Sequence, residues 1–372
     1  MGPLSGIRIV EFAGIGPAPL AAMMLADMGA TVLRLDRPGP DDRGAPVAEQ
    51  YDFTKRSRAG IAIDLKTPEA TAQALRLIEK ADALIEGFRP GVMERLGLGP
   101  DVCLRRNPRL AYGRVTGWGQ EGPLAHAAGH DLNYIALTGA LHAIGRKGQK
   151  PTPPLNLVGD YGGGALYLVT GLLAAMLSAR TTGKGQVVDA AMVDGALSLM
   201  TPIYAMKAGG RLGAPRGENQ LDSGSYFYEV YECSDGQYIS IASIEAKFHA
   251  ELMQRLELDP SAYVQTDKAK WPDAKARLEA LFKTRDRDHW CRVLEGTDVC
   301  FAPVLSMEEA HAHPHNTARA AFIDVGGMRQ PAPAPRFGTT KLGHPKTPAE
   351  VDARESLKAW GLSDTDLAAL PL

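Results

Sequence analysis

Residues 7–36 read IRIVEFAGIGPAPLAAMMLADMGATVLRLD. Ile7 to Phe12 is an apolar run of strand length, Ala13 to Pro19 is a Gly/Pro loop, and Leu20 to Met28 has helical character. Gly29 stops that helix, and Thr31 to Leu35 is a second apolar run with strand character. Strand, helix and strand within roughly 30 residues is the spacing of a βαβ unit, whose two strands run parallel. The pattern then repeats. Gly60 to Asp64 reads as a strand, Thr67 as a helix cap and Pro68 as a first-turn residue. Ala74, Leu77, Ile78 and Ala81 recur at helical spacing, and Ala83 to Ile85 and Leu110 to Val115 follow as strands. The expectation is an α/β chain whose residues 1–190 form a large Rossmann-like, doubly wound domain.

The texture changes near residue 220. Tyr226 to Glu232 and Gln237 to Ser243 flank Ser234-Asp235-Gly236, a hairpin signal. Helical segments around 247–257, 273–283 and 286–295 precede a strand-like Phe301 to Leu305. A smaller α+β domain is therefore expected over 226–320, joined through a linker at 191–225. Arg329 to Pro335, with three prolines, reads as an extended linker; residues 321–372 then return to the large domain as linker and helical tail. The 40 glycines and 26 prolines among 372 residues predict many tight loops.

Composition removes several function classes. The 41 basic and 43 acidic residues leave a net charge of −2, which argues against a nucleic-acid binder or a polybasic membrane clamp. Cys103, Cys233, Cys291 and Cys300 form no C-x-x-C pair, so they read as reduced thiols, and a cytoplasmic location is expected. Residues 1–6 lack a basic segment followed by an apolar one, and Pro371-Leu372 is not a peroxisomal signal. Ala165 to Leu177 is shorter than the roughly 20 residues a membrane span needs, and reads as a buried helix.

Five constellations offer chemistry. Gly14-x-Gly16 after a strand, with Asp36 ending the next one, matches part of a dinucleotide fingerprint. Pro19 stands where the third glycine belongs, so the unit reads as one without that ligand. Gly162-Gly163-Gly164 before an apolar helix suits either an anion cradle or plain loop punctuation. His130-Asp131 and Asp160 place one base of near-neutral pKa and one carboxylate at two glycine-rich loops. His311-x-His313-x-His315 is interrupted by Pro314 and reads as surface loop, with no metal site expected. Arg37, Lys66, Arg89 and Arg95 recur at strand ends and helix starts, where together they suit a phosphate rim.

Longer motifs carry a resemblance. Gly2-Pro3-Leu4-Ser5-Gly6-Ile7-Arg8, the block Glu11 to Pro38, and Thr116-Gly117-Trp118-Gly119-Gln120-x-Gly122-Pro123 resemble the family III coenzyme A transferase superfamily. Gly129-His130-Asp131-Leu132-Asn133-Tyr134, Pro154-Leu155-Asn156-Leu157-Val158-Gly159-Asp160 and Gly183-x-Gly185-Gln186-Val187-Val188-Asp189-Ala190 resemble its α-methylacyl-CoA racemase branch. The resemblance implies His130 and Asp160 as catalytic bases and Glu245 as the acid that orients the histidine. It implies coenzyme A contacts at Arg37, at Ile63, Asp64, Leu65 and Lys66, at Gly87, Phe88 and Arg89, and at Arg95. Gly129, His130, Asp131, Leu132, Asn133 and Tyr134 complete that set.

The same resemblance implies an interlocked homodimer, with each site between one chain's large domain and the other's small domain. Glu245 would then come from the partner. The implied reaction is 1,1-proton transfer on a 2-methyl-branched acyl-CoA through an enolate, with no cofactor beyond the CoA of the substrate. Met192, Met200 and Met206 are candidates for an adaptable acyl surface. The superfamily's transferases use a carboxylate nucleophile at the position of Asp160, so a CoA transferase is the alternative. His130 favours the racemase, because two-face proton transfer needs two bases and acyl transfer needs one nucleophile.

Overall fold

The computed structural model describes residues 2–39, 48–368 and 370. The chain forms two compact units: Met1–Thr138 with Leu155–Leu199 and Ala320–Leu372, and Gly139–Pro154 with Met200–Arg319. The first unit is built on six parallel strands: β1 (Arg8–Phe12), β2 (Thr31–Asp36), β3 (Ala59–Ala62), β4 (Ala83–Glu86), β5 (Ala111–Thr116) and β6 (Gln186–Ala191). Their order across the sheet is β3-β2-β1-β4-β5-β6, reversing direction between β1 and β4.

Side chains alternate along a strand, so each strand feeds two cores. Val10, Phe12, Leu33 and Leu35 pack on one face with helix α2 (Pro68–Lys80) and with Leu357 and Trp360 from the C-terminal segment. Ile9, Val32 and Ile85 pack on the other with α1 (Pro17–Asp27) and the long apolar helix that precedes β6. Covering both faces explains why the strands read as continuous apolar runs. As expected, Thr67 caps α2, its Oγ1 accepting from the Ala70 N–H at 3.2 Å, with Pro68 in the first turn.

The apolar runs are interrupted by charges that the sheet buries. Glu11, Arg34, Glu86 and Arg114 each lie near the carboxyl end of a central strand, and each is at most 8 % exposed. Register places Glu11 beside Arg34 and Glu86 beside Arg114. Arg58 pairs with Glu11, Arg34 Nε with Asp36 at 2.8 Å, and Arg114 Nε with Glu86 at 2.7 Å.

Several local expectations are corrected. The helix α1 starts at Pro17 rather than Leu20, because Gly16 at φ +71° turns the chain just ahead of it and proline is tolerated in a first turn. Residues 162–164 do not form a loop. They lie in a π-helical turn, Leu157–Ala165, that runs directly into α4 (Leu166–Thr182), the third helix being α3 (Asp131–Leu137). The continuous helix over 157–182 is thus long and apolar enough to cross a membrane by composition, unlike the shorter run expected. Its Leu168, Leu172 and Ala175 lie in the core of the first unit.

The glycines serve close packing. A Cβ on Gly163 would sit 2.7 Å from the Ala196 backbone nitrogen and 2.8 Å from the Met192 carbonyl, both in α5 (Met192–Leu199). Strand β6 was not anticipated: QVVDAA is an edge strand whose first half is exposed, so it lacks an apolar run. Arg329 to Pro335 is only partly a linker, since β10 (Phe322–Val325) pairs antiparallel with β11 (Met328–Pro331).

The second unit holds an antiparallel sheet of β7 (Tyr228–Glu232), β8 (Tyr238–Ala242) and β9 (Phe301–Val304). The expected hairpin forms β7 and β8, with Gly236 at φ +75° in its turn. Helices α6 (Ala246–Arg255), α7 (Trp271–Phe282) and α8 (Arg287–Leu294) pack on it through an aromatic core that includes Tyr226, Tyr231, Trp271 and Trp290. The segment read as a linker at 191–225 is divided: α5 belongs to the first unit, and residues from Met200 onward belong to the second. His313 caps the short helix Pro314–Ala318 and its Nε2 meets Glu295 at 2.9 Å. No group of potential metal ligands occurs among the described residues.

Gly163→Ala is expected to destabilise the chain by about 1–3 kcal/mol, because the backbone of α5 leaves the methyl no room. Urea unfolding checks it: the midpoint falls while the slope stays constant.

Candidate active site

Loops at the carboxyl ends of β1, β4 and β5, with the π-helical turn, enclose a cleft of about 660 Å³ within the first unit. Its walls include Gly16 and Pro17, the Gly87–Phe88–Arg89 loop, Trp118, the Gly129–His130 approach to α3, and Asn156, Asp160 and Met192. Parallel sheets bind ligands at this edge because the strand order reverses there and the following loops diverge.

Each wall is fixed by a specific contact. Glu86, wholly buried at the end of β4, accepts the Phe88 N–H at 2.7 Å and so sets the loop that carries Arg89. Tyr134 packs edge-on against Trp118 with ring centroids 4.8 Å apart, and its hydroxyl donates to the Gly129 carbonyl. Gly129 must be glycine, since a Cβ would sit 2.8 Å from the Tyr134 ring and 3.1 Å from Trp118. Burial and the neighbouring Asp160 push the Tyr134 phenol up to about 12, so it is neutral at physiological pH.

His130 stands at the N-cap of α3 in extended conformation, with an exposed side chain. Its N–H donates to Asn133 Oδ1 at 3.1 Å, and its carbonyl accepts from the Asn133 and Tyr134 amides. The next residue, Asp131, is buried, and its Oδ2 accepts the N–H of Gly159 at 2.6 Å and of Asp160 at 2.7 Å. The Asp160 Oδ2 accepts from Asn156 Nδ2 at 3.2 Å. Gly16 lies against this carboxyl: a Cβ there would be 3.3 Å from Oδ2. The pKa of Asp160 is raised, chiefly by burial; the Asn156 hydrogen bond and His130 act the other way, and the Asp131 charge adds to the rise.

The expected residues separate into groups. Gly87, Phe88, Arg89, Gly129, His130, Asn133, Tyr134 and Asp160 line the cleft. Asp131 lies behind it as a buried anchor, and Leu132 is exposed on α3. Ile63 and Asp64 line a shallow depression after β3 instead, while Lys66 caps its turn by donating its N–H to Asp64. Arg37 and Arg95 are exposed on loop and helix ends of the same unit. Met192 lines the cleft, whereas Met200 and Met206 belong to the second unit.

Glu245 also belongs to the second unit, at the N-cap of α6. The strand end before it is clamped: Gln265 Nε2 donates to the Ser243 and Ile244 carbonyls at 2.9 and 3.0 Å. Sequence reading assigned no role to Asn156 or Glu86. Glu86 had a usable signal, a lone acid closing an otherwise apolar strand. Asn156 lies one helical turn before Asp160, which is a signal only once that segment is known to be helical.

The family model for CoA-transferase family III matches residues 4–352, and the chain belongs to that family. It is 38% identical to the mouse α-methylacyl-CoA racemase over 379 residues, covering 99% of this chain and 96% of the mouse protein. Against the human α-methylacyl-CoA racemase it is 41% identical over 336 residues, covering 89% and 86%. A CaiB/BaiF family protein from Brucella suis shares its architecture, with a TM-score of 0.77 and 27% identity over 92% of this chain and 94% of that one.

The raised Asp160 pKa has a stability consequence with a definite sign. The folded chain holds this proton to higher pH than the unfolded chain does, so stability falls as pH rises from the unfolded value, about 3.9, to the folded one. Asp160→Asn removes the term. Urea unfolding across pH 4–8 should show the variant's stability gaining on the wild type through that window and levelling off above it.

Proposed function

We propose that this chain is a racemase that interconverts (2R)- and (2S)-2-methylacyl-CoA thioesters. The observation that carries the reading is the arrival of two acid–base groups, His130 and Asp160, from separate elements in one cleft. Moving a proton from one face of a planar intermediate to the other requires two such groups. Identity of 38% and 41% to two racemases, over 99% and 89% of this chain, supports the same isomerase chemistry. The large unit is read as a Rossmann-like, doubly wound scaffold whose ligand is the CoA of the substrate, held by Arg89 and the loops around it, with Arg37, Ile63–Lys66 and Arg95 toward its far end.

The α-proton of a thioester is weakly acidic, so the developing enolate oxygen needs donors. The N–H of Asp131 opens the first turn of α3, where amides lack intrahelical acceptors, and it serves this role. His130 removes the proton of the 2S substrate while neutral, and protonated Asp160 returns one to the opposite face. The reverse reaction exchanges their states. Half-burial suits Asp160 to this work, since a raised pKa brings it toward that of an imidazole.

Glu245 acts from a second copy of the chain in an interlocked homodimer, orienting the imidazole of His130. Leu132, Leu137, Leu155, Leu157, Leu166 and Leu177 of the first unit are each at least 43 % exposed, and they support a partner surface there. Met192 contributes to an adaptable acyl surface.

Proton NMR of a single 2-methylacyl-CoA enantiomer in D2O tests the reading, with deuterium expected at the α-carbon alongside epimerisation. Loss of either base should slow epimerisation by about 10²–10⁴-fold. Asp160→Asn should still exchange the 2S substrate without inverting it, and His130→Gln the 2R substrate. A folded wild type that exchanges nothing overturns the racemase; transfer to an added acceptor acid through an acyl-Asp160 anhydride would then point to the transferase.

A further inference from the structure

We infer that Asp131 is the positioning residue that fixes the two bases relative to one another, a role that rests on reading His130 and Asp160 as that pair. One carboxylate oxygen, on the residue next to His130, takes the N–H of Gly159 and the N–H of Asp160 itself, at 2.6 and 2.7 Å. These contacts join α3 to the π-helical turn across almost 30 residues of chain, and both are charge-assisted.

The neighbourhood is built around that oxygen. A Cβ on Gly159 would come within 2.6 Å of it, so only glycine lets the turn approach. His130 has little freedom relative to Asp131, because its N–H is held by Asn133 and its carbonyl by two amides of α3. On the other side the amide held by Asp131 is that of Asp160 itself, three bonds from its carboxyl carbon. Asp131 Oδ2 therefore hydrogen-bonds the segment that carries the imidazole to the one that carries the carboxyl, beside the packing of Ile135 on Gly159.

The charge on Asp131 matters as well as its reach. The residue is 5 % exposed, and its Oδ1 is buried with no hydrogen-bond partner among the described residues. Of the elements packed on the turn, α3 brings Asp131, His130 and Tyr134 towards Asp160. The other packed elements carry the charged residues Asp27 on α1, Arg114 on β5, Asp189 on β6, Asp194 on α5 and Arg180 on α4, while the charges that act on Asp160 are those of Asp131 and His130. Asp27 is paired with Arg56, while Arg114 and Asp194 act on Asp189. Removing the Asp131 charge while keeping an acceptor, as in Asp131→Asn, thus separates geometry from electrostatics.

The experiment compares wild type, Asp131→Ala and Asp131→Asn in both reaction directions, with amide hydrogen exchange at Gly159 and Asp160 as a readout independent of activity. In Asp131→Ala, kcat should drop about 100-fold in both directions, the cost of a misplacement near 1 Å, with KM within about threefold of wild type. Protection of the two amides should fall with it. Asp131→Asn should restore amide protection and bring kcat to within about tenfold of wild type. It should also shift the pH-dependence of Asp160 to lower pH, since a neighbouring negative charge is gone.

Unchanged kcat in Asp131→Ala overturns the inference. So does an Asp131→Asn variant no better than alanine, with the amides protected and the pH limb unmoved. If the alanine variant does not fold, the asparagine variant decides alone through the pH limb and amide protection. Failure of the racemase reading shows separately, as wild-type protein that exchanges no α-proton while amide protection still responds to the substitutions.

Discussion

Charges buried in the parallel sheet constrain everything that follows. Glu11, Arg34, Glu86 and Arg114 lie near the carboxyl ends of neighbouring strands, and Arg58 reaches Glu11 from the approach to β3. An unpaired ion in such a place costs several kcal/mol, so strands can pair only where opposite charges meet. The register does this, setting Glu11 beside Arg34 and Glu86 beside Arg114. A slip of one residue would also turn every apolar side chain to the opposite core. Charge and apolar alternation therefore select the same alignment, and the loops leaving these strands start from fixed points.

The cleft inherits that precision. Glu86 serves both the row of charges and the Phe88 amide, so the loop bearing Arg89 is anchored to the sheet itself. Around the remaining walls, missing side chains do much of the fitting. Gly163 admits α5 to the helical turn, Gly159 admits Asp131, and Gly129 admits the Tyr134 ring. A π-helical turn then presents Asp160 from the start of a long, half-buried helix, so the carboxyl is part of a rigid element. Exposed His130 and half-buried Asp160 face the same space with different solvation, and burial raises the pKa of Asp160.

Much of this was legible in the chain. The βαβ opening, the Thr67 cap and the Ser234–Gly236 hairpin rest on local signals: period, cap chemistry and turn residues. Motifs also singled out His130 and Asp160, which the fold brings to one cleft. The misses share a cause. Strand β6 is an edge strand with an exposed first half, so no apolar run marks it. The glycines at 162–164 suggest a loop until the helix that crosses them is known. Asp131 lies beside a catalytic candidate, yet its partners are 28 and 29 residues away, and nothing local distinguishes it from an ordinary first-turn acid. The buried charges did leave a trace, one ion near the end of each of four apolar strands, but the pairing becomes visible only with the strand order.

The two units are interleaved along the chain, which passes from one to the other at residues 138–139, 154–155, 199–200 and 319–320. Synthesis on the ribosome runs in one direction, so the second unit is fully emerged while the first still lacks its closing segment. Until that segment arrives, the core beneath α2 is missing Leu357, Trp360 and Leu367, and the turn bearing Asp160 belongs to a half-closed sheet domain. The smaller unit is thus free to mature first, and the unit that holds the cleft is the last to be sealed. No single break in the gene could separate the two as independent parts.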